Sequence, residues 1–262
     1  MKVSAVIISF NEEQYIGRCI ASLQGVADEI LVLDSFSTDQ TAEICRSLEV
    51  RFEQHPFDGY VSQKNRAVQM ATHPWILSLD ADEALSEELT GNLKKLISRA
   101  DQDPSNKIKK SFAAYAFNRR NAFCGRWMRH TSWYPDRKIR LFDRRRAVWR
   151  GLDPHDRVLV DKGERVKRVR GDIYHWAVDS VPEFKEKMDH FARISARAYH
   201  NAGISAAWWD APVHGGWRWI REYILRLGFL EGRAGWLIAR YSAMNASRKY
   251  LYLRKLNKHN AP

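Results

Sequence analysis

The chain has 262 residues, room for one large domain or one domain with an appendage, and a formal net charge of +12. It holds no apolar run long enough to span a bilayer. Its three cysteines, Cys19, Cys45 and Cys124, are too few and too scattered for a disulfide framework or a zinc knuckle, so a reducing, cytoplasmic compartment is expected. The charge is divided: residues 1–100 carry 9 Lys/Arg against 15 Asp/Glu, a net of −6, and residues 101–262 carry 34 against 16, a net of +18. An acidic half suits a catalytic site. A basic half suits a polyanion: nucleic acid, an anionic membrane surface or a phosphorylated substrate.

The first hundred residues alternate strand and helix. Lys2 to Ser9 reads as a strand rather than a signal peptide, because polar Asn11-Glu12-Glu13 follows with no cleavage site. Tyr15, Cys19, Ile20 and Leu23 have helical spacing within a helix from Gln14 to Leu23. Glu29 to Asp34 is a second strand, and Ser37 or Asp39 can cap a helix from Thr41 to Leu48. Val50 to Glu53 is a third strand, Gly59 to Met70 a helix, and Trp75 to Leu79 a fourth strand. Such βαβ repeats imply a parallel sheet with helices on both faces, and ligands bind those sheets at the carboxyl ends of the strands. Those ends carry Ser9, Asn11 and Glu12, then Asp34, then Asp80-Ala81-Asp82-Glu83.

Asp80 and Asp82 point the same way if extended geometry persists, and two adjacent carboxylates call for a cation between them. The alternative is a strand end before a helix capped by Ser86 and starting near Glu87. No Gly-x-Gly-x-x-Gly follows the first strand and no P-loop is present, so nucleotide binding would rest on side chains. Asp34 can accept from a base or ribose, and Lys64, Asn65 and Arg66 can meet phosphates, unless Lys64 and Arg66 are an ordinary solvated helix face.

Beyond Asp82 the pattern changes. A helix from Glu87 to Ala100 and a polar loop over residues 101–106 precede a strand from Phe112 to Asn118. Residues 124–137 mix aromatics, arginines and turn formers, a composition suited to recognition. Arg137 to Phe142 is a strand. Residues 151–156 form a turn holding Asp153, His155 and Asp156. Val158–Val160 and Arg165–Val169 read as a hairpin around Lys162-Gly163, and His175 precedes a helix from Val181 to about Ala202. Residues 203–262 hold five of the ten tryptophans and ten Lys/Arg against three Asp/Glu. Over Trp217 to Leu230, Trp217, Ile220, Ile224 and Leu227 share one helical face, with Arg218, Arg221, Glu222 and Arg226 opposite; Trp236 to Leu256 is a second helix. Basic amphipathic helices rich in tryptophan suit a membrane interface, and the alternative is packing on the sheet. The implied division is a catalytic domain over 1–202, with halves 1–100 and 101–202, and a basic helical extension over 203–262.

Four segments, Val6-Ile7-Ile8-Ser9-Phe10-Asn11-Glu12-Glu13, Val32 to Thr41, Gln63-Lys64-Asn65-Arg66-Ala67 and Leu79-Asp80-Ala81-Asp82-Glu83, resemble in order and spacing the family-2 inverting glycosyltransferases of the GT-A fold. Trp133-Tyr134-Pro135-Asp136, Arg140-Leu141-Phe142, Pro154-His155-Asp156 and His175-Trp176 are similar to bacterial lipopolysaccharide core glycosyltransferases, with β-1,4-glucosyltransferases acting on heptose as the nearest named relatives. This chain departs from that pattern at Asp156, where a glutamate is common, and at Phe36, where glycine is usual.

The resemblance implies an α/β GT-A fold and an inverting transfer of a hexose from a nucleotide-diphosphate sugar, with a UDP-sugar as the expected donor, to a lipid-linked saccharide. It implies work at the inner face of the bacterial inner membrane against anionic lipid, with no nucleic acid partner. Asp34 would contact the nucleobase, with Ser9, Asn11 and Glu12 beside it. Asp80 would hold ribose or the metal shell, and Lys64 and Asn65 the phosphates. Asp82 would ligate Mg²⁺ or Mn²⁺, with His175 completing the site unless it is a packed strand-end histidine. Arg126, Trp133, Asp136 and Arg140 would meet the acceptor. Inverting transfer needs a base for the acceptor hydroxyl. Asp156 is the first choice, and Asp136 and Asp153 are the runners-up. A nucleic-acid-binding protein and a non-catalytic membrane-docked scaffold are the alternatives from other classes.

Overall fold

In a computed structural model that describes residues 1–102, 112–151 and 156–259, the chain forms two compact units. The first comprises Met1–Arg119 and Arg137–His175, the second Arg120–Asp136 and Trp176–Pro262.

In the first unit, β1 (Val3–Ser9), β2 (Glu29–Asp34), β3 (Arg51–Gln54) and β4 (Trp75–Asp80) pair in parallel, with β1 between β2 and β4. The register sets Ser9 beside Asp34 and Ile8 beside Asp80, so the carboxyl ends of the three strands lie together. Alternation along β1 divides the core. Val3, Ala5 and Ile7 pack with α1 (Ile16–Leu23), α2 (Thr41–Ser47) and α4 (Glu87–Gln102), while Val6 packs with α3 (Tyr60–Met70) and the residues around Trp149. The expected sheet, mostly parallel with helices on both faces, is thus present, its parallel part carried by β1 to β4. Antiparallel pairs extend it: β8 (Asp136–Asp143) on β4, and the short β5 (Glu83–Leu85) on β11 (Val166–Val178). β6 (Ala114–Phe123) lies between β8 and β11, and β7 (Arg126–Trp127) pairs with β6.

The boundaries expected for the early elements agree with these to within a residue or two. Ser86 does cap α4, its hydroxyl accepting from the Leu89 N–H at 3.3 Å. Gly171, at φ +104°, lets β11 pass α4: a Cβ there would lie 2.5 Å from the Leu89 nitrogen.

Two expectations are corrected. The hairpin around Lys162-Gly163 is absent, because β10 (Arg157–Val160) pairs instead with β9 (Ala147–Arg150). There Val158, Ala147 and Trp149 close the apolar face of α3, and β11 joins the main sheet. The single helix expected from Trp217 to Leu230 is broken. α6 (Asp210–Ile220) gives way to a π turn over Arg221–Leu225 and a 3₁₀ turn over Gly228–Glu231 before α7 (Gly232–His259). The glycines explain the close approach: a Cβ on Gly235 would lie 1.8 Å from the Gly228 carbonyl oxygen.

The second unit has its own core of Phe123, Met128, Val178, Phe184 and Ile238. It draws residues 120–136 together with α5 (Val181–Asn201), α6 and α7, so the compact units do not divide the chain at residue 202. Ser180 and Glu183 form a reciprocal capping box at the start of α5. Asp189 joins α5 to α7, accepting from the Tyr252 hydroxyl at 2.7 Å and pairing with Arg248 at 2.6 Å. The tyrosine hydrogen bond and the arginines push its carboxyl down to about 2. A depressed folded value stabilises above the unfolded value and is lost as pH falls through the folded one. Asp189→Asn is expected to lower Tm near pH 7, with the gap to the wild type closing between about pH 4 and pH 2. An equal gap at both ends of that window would show that the clamp is not electrostatic.

Candidate active site

The strand ends of the first unit carry a buried network of charge. Asp80, the last residue of β4, places Oδ1 2.9 Å from Lys64 Nζ and Oδ2 2.7 Å from Arg140 Nη2. Lys64, buried on α3, also reaches Asp156 Oδ2 at 2.7 Å. Arg140, 2% exposed on β8, reaches Glu83 Oε1 at 2.6 Å, and Arg119 reaches the same oxygen at 3.1 Å. Glu83 is wholly buried, and its Oε2 accepts from the Asp80 N–H at 3.1 Å, which fixes the corner between β4 and β5. Burial raises the Asp80 carboxyl, but Arg140 and Lys64 outweigh it and hold the group well below the usual carboxylate range.

Asp82 lies in the turn after Asp80, so the extended geometry does not persist. Asp82 Oδ2 lies 3.1 Å from His175 Nε2. The β5–β11 register places His175 opposite Glu83 and so beside that corner. Asp80 thus pairs with Lys64 and Arg140, and Asp82 with His175. Asp82 and His175 give one hard oxygen and one imidazole nitrogen, a donor set that fits a divalent ion whose remaining positions come from diphosphate oxygens. Among the described residues no three His, Cys, Asp or Glu side chains converge to hold an ion by themselves.

Trp149 of β9 lies against both bridging cations, with its ring centroid 4.4 Å from Lys64 Nζ and 5.5 Å from Arg140 Cζ. Asn65 holds it there. The Asn65 amide donates to the Trp149 carbonyl at 3.0 Å and accepts from its N–H at 3.2 Å. Asn65, expected on the donor phosphates, is thus occupied in placing Trp149. Arg66 is likewise turned outward, to Asp58 at 2.9 Å.

Asp34 is also corrected. Its Oδ1 accepts from the Ser9 and Ser37 hydroxyls at 2.9 and 2.5 Å, and its Oδ2 from the Ser37 N–H and the Gln54 amide at 2.8 and 3.2 Å. All four lone-pair positions are filled, which leaves none for a nucleobase. Asp34 instead organises the loops after β1 and β2. Asn11 belongs to the same scaffold, its backbone N–H donating to the Ser37 hydroxyl and its side-chain Oδ1 accepting from the Thr38 N–H, both at 2.8 Å. The Glu12 N–H donates to Thr41. Phe36 has φ +62°. A side chain in the left-handed region costs on the order of 1 kcal/mol, which explains glycine as the usual residue there.

Sequence reasoning missed Gln63 and Glu83. Gln63 is fully buried and donates to the Ser35 hydroxyl at 3.1 Å, while its Oε1 has no partner, a vacant acceptor beside the β2 loop. Nothing in a helical run such as Gln63-Lys64-Asn65-Arg66 distinguishes it in advance.

The expected acceptor residues separate. Arg140 is buried in the charge network and has no face for an acceptor. In the second unit, Arg126 pairs with buried Glu231 at 3.1 Å. Glu231 also accepts from the Arg129 N–H and from His130 Nδ1, both at 2.8 Å. Glu222, expected on the helical face opposite Trp217, is fully buried and accepts from the Ser132 N–H at 2.7 Å. Trp133 packs edge-on against Phe123 and Phe184, 5.7 and 5.6 Å between ring centroids. Asp136 is half-buried at the start of β8. Asp153 lies outside the described residues.

Residues 4–160 match the family model described as glycosyl transferase family 2. The chain is 27% identical over 262 residues to an uncharacterized glycosyltransferase of Rickettsia typhi, covering 97% of this chain and 86% of that protein. It is 40% identical over 107 residues to the lipopolysaccharide core biosynthesis glycosyltransferase LpsC of Rhizobium meliloti, 39% of each chain. Among solved structures, Staphylococcus aureus TarS residues 1–349 in complex with UDP is similar at a TM-score of 0.44 and 15% identity, covering 100% of this chain and 92% of that one.

Proposed function

The chain belongs to glycosyltransferase family 2, nucleotide-sugar-dependent enzymes of the GT-A fold, and from that premise we propose that it transfers a hexose with inversion from a UDP-sugar to a lipid-linked saccharide such as a lipopolysaccharide core. The observation that carries this reading is the convergence of Asp80, Lys64 and Asp156 through two ion pairs at the carboxyl edge of the parallel strands.

In this reading Asp156 is the base. Lys64 contacts Asp156 Oδ2, which leaves Oδ1 to accept the acceptor's hydroxyl proton. The hydroxyl oxygen bonds to the anomeric carbon as the bond from that carbon to the diphosphate breaks, and the electron pair leaves with the phosphate. Lys64, desolvated against Trp149, supplies fixed positive charge near the departing diphosphate. Arg140 and Lys64 hold Asp80 ionised, and Glu83 holds its backbone in place, as a hydroxyl acceptor for the donor. Mg²⁺ or Mn²⁺ held by Asp82 and His175 would supply Lewis-acid stabilisation of the diphosphate oxygens. In the donor pocket Gln63 takes the acceptor role expected of Asp34.

The lipid-linked acceptor agrees with the surface of the second unit. Trp208, Trp209 and Trp217 are 67, 52 and 56% exposed, and Leu225, Phe229 and Leu230 are exposed as well. Arg218, Arg221, Arg226 and Arg233 belong to the same segment. Exposed indoles among arginines suit the headgroup region of an anionic bilayer. No helix among the described residues is long and apolar enough to cross a membrane, so contact would be peripheral.

A screen of nucleotide sugars for hydrolysis or transfer tests the proposal. One UDP-hexose is expected to turn over, and EDTA to abolish that turnover until Mg²⁺ or Mn²⁺ is restored. Salt-sensitive RNA binding without binding of any nucleotide sugar would favour the nucleic-acid reading. Donor binding without turnover on any glycolipid would favour the scaffold.

A further inference from the structure

The first unit holds a cavity of about 420 Å³ that the transferase chemistry does not use. It lies between the second half of α4 and the strands β6 and β11. Lys95 and Arg99 of α4 and Lys167 of β11 line it, over a floor that includes Phe112 and Tyr115. None of the charge-network residues around Asp80 lines it, and Tyr115 stands four residues from Arg119 on β6, roughly 13 Å of extended strand.

Three features of this cavity call for an anion. Lys95 and Arg99 stand four residues apart on one helix face, where like charges repel. Neither they nor Lys167 has a carboxylate partner among the described residues, although acidic side chains elsewhere in the unit pair readily. The cation of Lys167 also sits 5.4 Å from the Phe112 ring centroid, which holds it over the cavity mouth.

We propose that this cavity is a second binding site, for a phosphoryl anion carried on a small organic body. Lys95, Arg99 and Lys167 take the phosphate oxygens, and Phe112 packs against the carbon atoms. One chemistry, a phosphate ester, covers both a soluble phosphorylated metabolite and a phospholipid headgroup. The site does not rest on the transferase reading.

Binding of glycerol 3-phosphate to the full-length protein, followed by titration calorimetry, tests the soluble source. Co-sedimentation with vesicles containing phosphatidic acid, against phosphatidylcholine alone, tests the lipid source. The comparison is between wild type and the variant Lys95→Gln/Arg99→Gln/Lys167→Gln, whose substituted side chains are exposed and outside the catalytic network. The variant is expected to keep the wild-type Tm and donor turnover. It should weaken binding at least about tenfold, for glycerol 3-phosphate if the ligand is soluble or for the vesicles if it is a headgroup. Wild-type affinity of the triple variant in both arms, or no saturable binding by the wild type in either, overturns the proposal.

Discussion

Asp156→Asn is expected to lower the turnover number about 10²- to 10⁴-fold while leaving donor affinity within a few-fold of wild type. The amide preserves the shape of the side chain and a neutral acceptor for Lys64, so the network around Asp80 should persist. It cannot take the acceptor's proton. Titration of a nucleotide sugar, paired with steady-state transfer, separates the two effects. Undiminished transfer by Asp156→Asn would move the base elsewhere, with Asp136→Asn the next variant to measure.

Arg140→Met is expected to cost about 3–5 kcal/mol of folding stability, read from denaturant unfolding. The wild-type guanidinium, 2% exposed, neutralises Asp80 at 2.7 Å and Glu83 at 2.6 Å. Methionine fills much of the volume but leaves Glu83, with no solvent access, to the longer contact from Arg119 at 3.1 Å. Breaking a buried pair from one side is far more costly than replacing the whole pair, because a charge remains without its partner. Glu83→Gln combined with Arg140→Met should therefore recover part of the loss. A cost below about 1 kcal/mol for the single variant would mean that water reaches the network and that Arg140 is not its centre.

Much of this architecture was legible in the residues because its signals are local. The hydrophobic run over Val3–Ser9 and helical spacing over Ile16–Leu23 each mark an element, and strands that end in Ser9, Asp34 and Asp80 mark the edge where a parallel sheet binds ligands. Phe36 was visible as a departure, and its φ of +62° supplies the backbone reason.

What was not legible depends on partners distant in the chain. Arg140 reads as a residue for the acceptor; Asp80 and Glu83, 60 and 57 residues earlier, make it a buried cation instead. Asn65 looks like a phosphate ligand until Trp149, 84 residues later, takes both ends of its amide. The hairpin around Lys162-Gly163 had sound turn chemistry but lost to the burial of Val158 against β9. The helix after Trp217 has unbroken periodicity through Leu227, and its interruption follows from a glycine contact across to α7 that no local window contains.

The proposed site divides its work between two carboxylates: Asp80 is held ionised by Lys64 and Arg140, and Asp82, beside His175, would hold the ion that meets the donor's diphosphate. The most direct test is the metal-dependent turnover of Asp82→Asn with the donor found by screening. Transfer is expected to fall at least about 100-fold, the equivalent of roughly 3 kcal/mol of transition-state stabilisation, with Tm unchanged and no recovery on raising Mg²⁺ or Mn²⁺. Wild-type turnover by Asp82→Asn, equally insensitive to EDTA, would contradict it.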